Sequence, residues 1–198
     1  MSFIHKLLSI RKPCLRRQRR EIAEALWQAI VLQARHSYFY DQLGVSDSID
    51  GRYNMICLHS FVVLRRLKQA SPGNPEVQKL AQSLFDLSFK DMDRSLRQRG
   101  ISDLKIGVRV KEMAKTLYGR IAAFEAALRD SQPGDLEPLA AAILRNIYSD
   151  LKPAEKLNRT ADARSLALYL WQAIELADQQ TIATITQARQ FLFPKVQP

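Results

Sequence analysis

Apolar residues recur every three or four positions in one segment of the chain after another, a spacing that places them on one face of an α-helix. The clearest segment keeps this spacing over five turns, from Val77 to Leu96. Strict alternation of apolar and polar residues beside hairpin turns, the pattern of β-strands, is found nowhere. The sequence therefore predicts an all-α fold, a single compact multi-helix domain of about seven helices, without the fixed repeat of a solenoid.

Turn-forming residues separate the predicted helices. Asp50 and Gly51 indicate a turn before the second helix, and Gly100 is well placed to end the third. Gly107 and Gly119 lie inside the fourth, where glycine is unfavourable, so we expect a break near Gly107 or close helix contacts at Gly119. The predicted helices cover approximately residues 20–35, 53–70, 75–99, 103–129, 136–148, 161–178 and 181–191.

The charge of the chain is concentrated at its start. The whole sequence has 30 Lys and Arg, 20 Asp and Glu, and a formal net charge of +10. Seven of the basic residues and no acidic residue fall within residues 1–20, which leaves 23 basic and 20 acidic residues in the rest. We therefore predict a basic, partly amphipathic N-terminal segment, residues 1–20, followed by a helical domain, residues 21–198.

The N-terminal segment has several interpretations. Its apolar residues share one helical face, and Pro13 is expected to end any helix there. Such a segment is typical of a contact with an anionic membrane surface. A flexible solvated tail, a contact with ribosomal RNA and an organellar targeting peptide have a similar composition. The candidates for membrane or ribosome contact are Lys6, Arg11, Lys12, Arg16, Arg17, Arg19 and Arg20.

The sequence contains no recognisable catalytic or metal-binding motif. A glycine-rich phosphate loop, a G-x-S-x-G elbow and an H-E-x-x-H pair are all absent. Cys57 and His59 lie two residues apart, so on a helix they point in different directions and are expected to be a buried thiol and a core or boundary histidine. We expect no enzyme, no cofactor and no metal site. No apolar run is long enough to span a membrane.

Asp91 and Asp93 are similar to the acidic motifs that bind magnesium diphosphate in helical prenyl-transfer enzymes. Those motifs need carboxylates one helical turn apart and usually occur twice. Here the two residues are two positions apart and no second motif follows. An isoprenoid-handling enzyme is therefore a remote alternative.

Four stretches of the body carry a family likeness. They include Asp50-Gly51-Arg52, Asp91-Met92-Asp93-Arg94 and Tyr118-Gly119-Arg120, and they lie within residues 34–45, 50–67, 84–97 and 100–120. In their order and spacing these stretches resemble the ubiquinol–cytochrome c chaperone family, the bacterial relatives of the mitochondrial assembly factor for cytochrome b. The likeness covers approximately residues 22–194 and leaves out the N-terminal segment.

The resemblance implies a non-enzymatic chaperone that binds newly made cytochrome b and supports assembly of the cytochrome bc1 complex. It would act on the cytoplasmic, inner face of the membrane as a peripheral protein, or on the matrix side in a mitochondrion. Further partners would be a ribosome or membrane surface and a small partner protein, and no DNA is expected. The candidates for client binding are Asp50, Arg52, His59, Asp91, Asp93, Arg94, Arg109, Lys111, Tyr118 and Arg120.

Two other interpretations of these residues stay open at the level of sequence. They are also consistent with solvated helix faces held by short-range ion pairs, such as Asp93 with Arg97 and Asp91 with Arg94. The net positive charge is equally consistent with a basic helical module that binds RNA or the ribosome.

Overall fold

The structure, a computed structural model, describes the backbone of residues 3–196 and the side chains of residues 15–196. Within this range the chain forms nine helices and no β-strand, which confirms the predicted all-α fold. Seven of the helices have at least seven residues, and two are shorter. The helices are α1 (Phe3–Ala34), α2 (Tyr38–Asp41), α3 (Ile49–Gln69), α4 (Pro75–Gln98), α5 (Asp103–Asp130), α6 (Glu137–Asn146), α7 (Pro153–Leu157), α8 (Thr160–Gln179) and α9 (Ile182–Ala188).

Helix α3 forms the centre of the core. It is contacted by α1, α4, α5 and α8, so apolar residues on most of its circumference are buried. Met55, Leu58 and Phe61 have no exposed surface. Helix α6 packs against α5 and α8 and completes the domain. The first turns of α3 therefore lie where several helices meet.

Helix α3 begins earlier than the sequence predicts. The Ser48 side chain accepts a hydrogen bond from the Gly51 backbone N–H at 3.0 Å, which caps the helix at its start. Gly51 also lies against the preceding loop, since a Cβ atom added there would fall 1.9 Å from the Ser46 carbonyl oxygen. The predicted turn at Asp50 and Gly51 is therefore wrong, and Asp50 projects from the first turn of α3.

Helices α1 and α4 lie side by side and run in the same direction. Arg19 donates to Glu76 at 2.7 Å, and the Trp27 indole N–H donates to Asp91 at 3.1 Å. The second contact lies further along the sequence than the first in both helices, so the helices are parallel. A groove opens to the outside along this seam.

The N-terminal half of α1 departs from the prediction. The helix continues through Pro13, because a proline removes one backbone hydrogen bond and kinks a helix without always ending it. Three of the predicted contact residues, Lys6, Arg11 and Lys12, have side chains that lie outside the described ones. The division of the chain at residue 20 stays a prediction.

Helix α5 is continuous through Gly107 and Gly119, so the predicted break is wrong. An added Cβ atom at either position would meet nothing within 4 Å among the described residues, and the expected close contact at Gly119 is not observed there. Gly100 has a φ of 77° and follows the last residues of α4, as predicted for a residue that ends a helix.

Candidate functional site

A cleft of about 400 Å³ opens between the first turns of α3, the middle of α5 and the loop after α6. We call it the α3–α5 cleft. The Tyr53 hydroxyl donates to the Met113 carbonyl oxygen at 2.7 Å and forms one side of it. The charged side chains that line the cleft have both signs: Asp50, Arg109, Glu112, Arg120 and Asp150.

Arg109 joins α3 to α5 at the mouth of this cleft. Its Nη2 donates to Asp50 at 3.1 Å and its Nη1 to Glu112 at 3.3 Å. The side chains of Arg109 and Asp50 are 43% and 72% exposed, so this ion pair contributes at most about 1 kcal/mol. A polar ligand can therefore replace either partner at little cost.

Arg120 lies at the floor of the cleft and is only 9% exposed. Its Nε and Nη2 donate to the Asn146 carbonyl oxygen at 3.3 and 3.1 Å. Asn146 is the last residue of α6, where unpaired carbonyls favour a cation. Arg120 therefore has a structural role at the end of α6 in addition to its place in the cleft.

Cys57 lies behind Arg120, with its Sγ 3.9 Å from the Arg120 Nη1. Burial raises the pKa of the Cys57 thiol to about 11, although the Arg120 guanidinium opposes this shift. The thiol is therefore protonated and unreactive near neutral pH. The predicted buried thiol is confirmed.

A longer groove of about 1020 Å³ follows the seam between α1 and α4. We call it the α1–α4 groove. Trp27 and Asp91 lie on its floor, joined by the hydrogen bond between the indole and the carboxylate. It continues towards the C-terminal end of α4 into a smaller, mostly apolar pocket. The rim of that pocket carries Arg35, Arg52 and Arg99.

The carboxylates of Asp91 and Asp93 are occupied by different partners. Asp91 accepts from Trp27, whereas Asp93 accepts from Arg97 Nε at 2.7 Å, as predicted. The predicted pair of Asp91 with Arg94 is wrong, since the two side chains form no ion pair and Asp91 Oδ2 accepts from the Trp27 indole instead. Within residues 15–196, no three His, Cys, Asp or Glu side chains gather closely enough to hold a metal ion. The two aspartates of α4 therefore face different partners.

His59 is a core residue and has no exposed surface. Its Nδ1 lies 2.8 Å from the Met55 carbonyl oxygen and its Nε2 lies 2.8 Å from the Tyr169 hydroxyl. Burial lowers the pKa of His59 to about 4, so the ring is neutral near pH 7. The prediction of a core histidine is confirmed, because the ring is fully buried. The contact of His59 with a client stays a prediction.

Most of the other predicted residues line one of the two concave surfaces. Asp50, Arg109 and Arg120 line the α3–α5 cleft. Arg52, Asp91 and Arg94 line the α1–α4 groove and its extension. Two residues of α5 line neither: Lys111 is exposed, and Tyr118 is 58% exposed with its ring centroid 5.4 Å from that of Phe85.

Several lining residues were not predicted from the sequence. Glu112 follows Arg109 by three positions, and this helical spacing was the available signal for a pair. No local pattern identifies Trp27, Lys90 or Asp150, because each enters a site through a neighbour that is distant in the sequence.

Most described basic residues of the N-terminal segment are already paired with carboxylates. Arg17 contacts Glu21, Arg20 contacts Glu24, and Arg19 contacts Glu76. Such pairing reduces the positive potential that RNA phosphates or lipid headgroups would meet here. The contact with a ribosome or a membrane stays a prediction. No helix among the described residues has the length and apolar character needed to cross a bilayer.

Comparisons with known proteins agree on one family. The sequence model of the family described as "Ubiquinol-cytochrome C chaperone" matches residues 41–193. The crystal structure of the Cbp3 homolog from Brucella abortus is similar to this chain, with 32% sequence identity and a TM-score of 0.75 over 98% of this chain and 97% of that chain. No curated protein matches significantly. Every lining residue of the α3–α5 cleft falls within the matched range, whereas the α1 wall of the α1–α4 groove lies outside it.

Proposed function

The chain belongs to the ubiquinol–cytochrome c chaperone family, and on this premise we propose that it holds newly made cytochrome b while the cytochrome bc1 complex assembles, without catalysing a reaction. The match over residues 41–193 is the observation that carries the proposal. It agrees with the resemblance found in the sequence, and a role in assembly of this complex is supported at the level of the family.

The α3–α5 cleft is the surface we propose for the client. A newly made membrane protein exposes loops and apolar segments that aggregate before their partners arrive. The cleft offers carboxylates and guanidinium groups next to Tyr53 and Met113, so it suits a polar loop that carries an apolar residue. A passive holder stabilises its client by mass action, and assembly into the complex competes for the same segment.

Site-specific photo-crosslinking in cells tests this surface. A photoreactive amino acid at Thr116, in the cleft, should crosslink to newly made cytochrome b. The same amino acid at Leu168, a half-exposed residue of α8 that does not line the cleft, is the matched control. Equal crosslinking at both positions, or none at Thr116, would contradict the proposed surface. Crosslinks to ribosomal RNA instead of cytochrome b would favour the RNA-binding alternative.

The role in assembly is tested separately by deletion of the gene. Difference spectra of membranes should then show less b-type haem, and quinol–cytochrome c reductase activity should fall. Normal values for both would reject the proposed function.

An exchange of the charges of Asp50 and Arg109 distinguishes a contact with the client from a purely structural role of the two residues. If Asp50 and Arg109 only tie α3 to α5, the double variant Asp50→Arg with Arg109→Asp should restore function, because it restores the ion pair. If they contact the client, the exchanged pair should leave b-type haem low even though the protein folds. The pair Glu137→Arg with Arg164→Glu, an exposed ion pair between α6 and α8 outside the cleft, is the control and should behave like the unmodified protein.

We further propose that the protein acts as a peripheral protein on the inner face of the membrane, with the N-terminal segment on anionic lipid. A protein that lacks residues 1–14 should then bind less to vesicles of anionic lipid than the full chain. Deletion of these residues leaves the described core of α1 in place, since Ile22 is the first buried side chain within residues 15–34. Unchanged binding would contradict this location.

A further inference from the structure

Several cations lie along the rim of the α1–α4 groove. Among residues 15–196, no Asp or Glu oxygen lies within 4 Å of the basic groups of four lining residues: Arg35, Lys90, Arg94 and Arg99. Asp91 on the floor keeps its negative charge, since the Trp27 indole that donates to it is neutral, but the four cations outnumber this one carboxylate. The groove therefore offers positive charge on its rim and accepts negative charge from outside.

Small and apolar side chains lie among the polar ones in the wall that α1 presents to this groove. Ala25 and Ala29 line it, and Leu32 is 78% exposed although it lies in a concave surface. Leu87 of α4 and Phe191 add apolar surface beside it. Small side chains allow another backbone to approach closely, and an exposed leucine gains free energy when a partner covers it.

The shape of the groove favours a helix as its occupant. Its two walls are long helices that run in the same direction, and the lining part of α1 from Arg20 to Arg35 extends about 22 Å, or roughly four turns. A third helix fits such a seam with its apolar stripe towards the walls, as in helix-in-groove recognition. A flat lipid surface would not reach the floor. RNA would find no ring to stack on, because Trp27 is 7% exposed.

We infer that the α1–α4 groove binds an acidic amphipathic helix of a partner protein. The leucines of that helix would cover Leu32 and its neighbours, and its carboxylates would pair with Lys90, Arg94, Arg35 and Arg99. The inference concerns a second surface, and it does not depend on which client occupies the α3–α5 cleft.

Trp27 provides a direct readout of occupation. The chain has two tryptophans, so the variant Trp171→Phe leaves Trp27 as the single fluorophore, at the floor of the groove. The probe is a designed peptide of about four helical turns with leucines on one face and flanking glutamates. Its addition should change Trp27 emission with a saturable dependence that weakens as salt rises. The same peptide with lysines in place of glutamates should have no effect. Anisotropy of the labelled peptide with the unmodified chain measures the same binding without a substitution.

Charge reversal on the α4 wall supplies the decisive comparison. The double variant Lys90→Glu with Arg94→Glu should weaken binding of the glutamate peptide by about tenfold or more. The double variant Lys111→Glu with Lys115→Glu changes the net charge equally on the exposed side of α5 and should bind normally. Equal weakening in both, or no saturable response of the unmodified chain, would overturn the inference. It would also be overturned if anionic vesicles, RNA oligonucleotides or self-association changed Trp27 emission and the glutamate peptide did not.

Discussion

The Tyr169 hydroxyl donates a hydrogen bond to His59 Nε2 across 2.8 Å in the middle of the core. The direction follows from the other ring nitrogen. Nδ1 faces the Met55 carbonyl oxygen, which can only accept, so Nδ1 carries the proton and Nε2 of the neutral ring accepts. The Tyr169 oxygen in turn accepts from the Gln33 amide at 3.0 Å. Of these bonds, the one from Tyr169 to His59 requires a neutral ring, because a protonated Nε2 can no longer accept.

Acidification should therefore destabilise the protein through His59. Burial lowers its pKa from 6.5 to about 4, so the unfolded chain takes up a proton first as the pH falls. The contribution of the neutral histidine to stability is complete above pH 6.5 and is lost progressively towards pH 4. The shift corresponds to about 3 kcal/mol. Urea unfolding at a series of pH values across this range measures the loss.

The variant His59→Phe is the control for this titration. It should be less stable than the unmodified protein at neutral pH, because Tyr169 loses its acceptor. Between pH 6.5 and 4 its free energy of unfolding should fall by less, while the carboxylates titrate equally in both proteins. Parallel pH curves for the two proteins would show that His59 does not titrate with a lowered pKa.

Alanine at three glycine positions should have opposite effects on stability. Gly51→Ala should destabilise the protein by about 2 kcal/mol or more, because the new Cβ would overlap the Ser46 carbonyl oxygen. Gly107→Ala and Gly119→Ala meet nothing and should each stabilise it by up to about 1 kcal/mol. Thermal unfolding of the three variants tests this order. A loss of stability at position 107 or 119 would indicate a contact that the monomer does not contain.

Removal of the Asp91 carboxylate should loosen the contact between α1 and α4. Asp91→Ala leaves the partly buried Trp27 indole without an acceptor and should cost about 1–2 kcal/mol. Asp91→Asn retains a carbonyl oxygen and should cost less. Asp93→Ala breaks only the exposed pair with Arg97 and should cost less than about 1 kcal/mol. Chemical denaturation gives the three values, and equal losses for Asp91→Ala and Asp93→Ala would contradict the assignment.

Substitutions of Arg120 and Arg109 should affect stability and client binding differently. Arg120→Ala removes a buried side chain that satisfies the end of α6 and should cost about 2–4 kcal/mol. Arg109→Ala breaks exposed pairs and should change stability by less than about 1 kcal/mol. If the α3–α5 cleft holds the client, Arg109→Ala should nevertheless reduce crosslinking from position 116. A stable Arg120→Ala protein would show that the cation at the end of α6 is dispensable.

The helical stripes were predictable because they depend on local spacing alone. The spacing from Val77 to Leu96 predicts a stripe of seven residues on α4, and all but Ala81 are buried: Val77, Leu80, Leu84, Ser88, Met92 and Leu96. The start of α3 was missed because Asp50-Gly51 has the composition of a turn, and the close approach of Ser46 that explains Gly51 is a tertiary contact. Pro13 predicts the end of a helix, but the local free-energy cost of one proline does not decide where a helix as long as α1 ends.

The candidate site was predictable only in part. Charged residues at the start of α3 and along α4 and α5 were identified, but their partners depend on how the helices pack. Asp50 meets Arg109 across 59 positions, and His59 meets Tyr169 across 110. A single sequence does not show which distant residues come into contact. The exposed Asp50–Arg109 pair and the buried His59–Tyr169 bond therefore could not be distinguished without the structure.

The parallel course of α1 and α4 sets a direction for any helix between them. Their peptide dipoles add, so both negative ends lie at the same end of the groove, beside Arg35 and Arg99. The two termini together carry about one negative charge, which offsets roughly half of the charge of these two arginines, so the rim stays positive at this end. A helix that lies antiparallel to both walls has its dipole opposed to theirs, which is the favourable arrangement of neighbouring dipoles, so we expect the groove to favour one polarity of its occupant as well as one sign of charge.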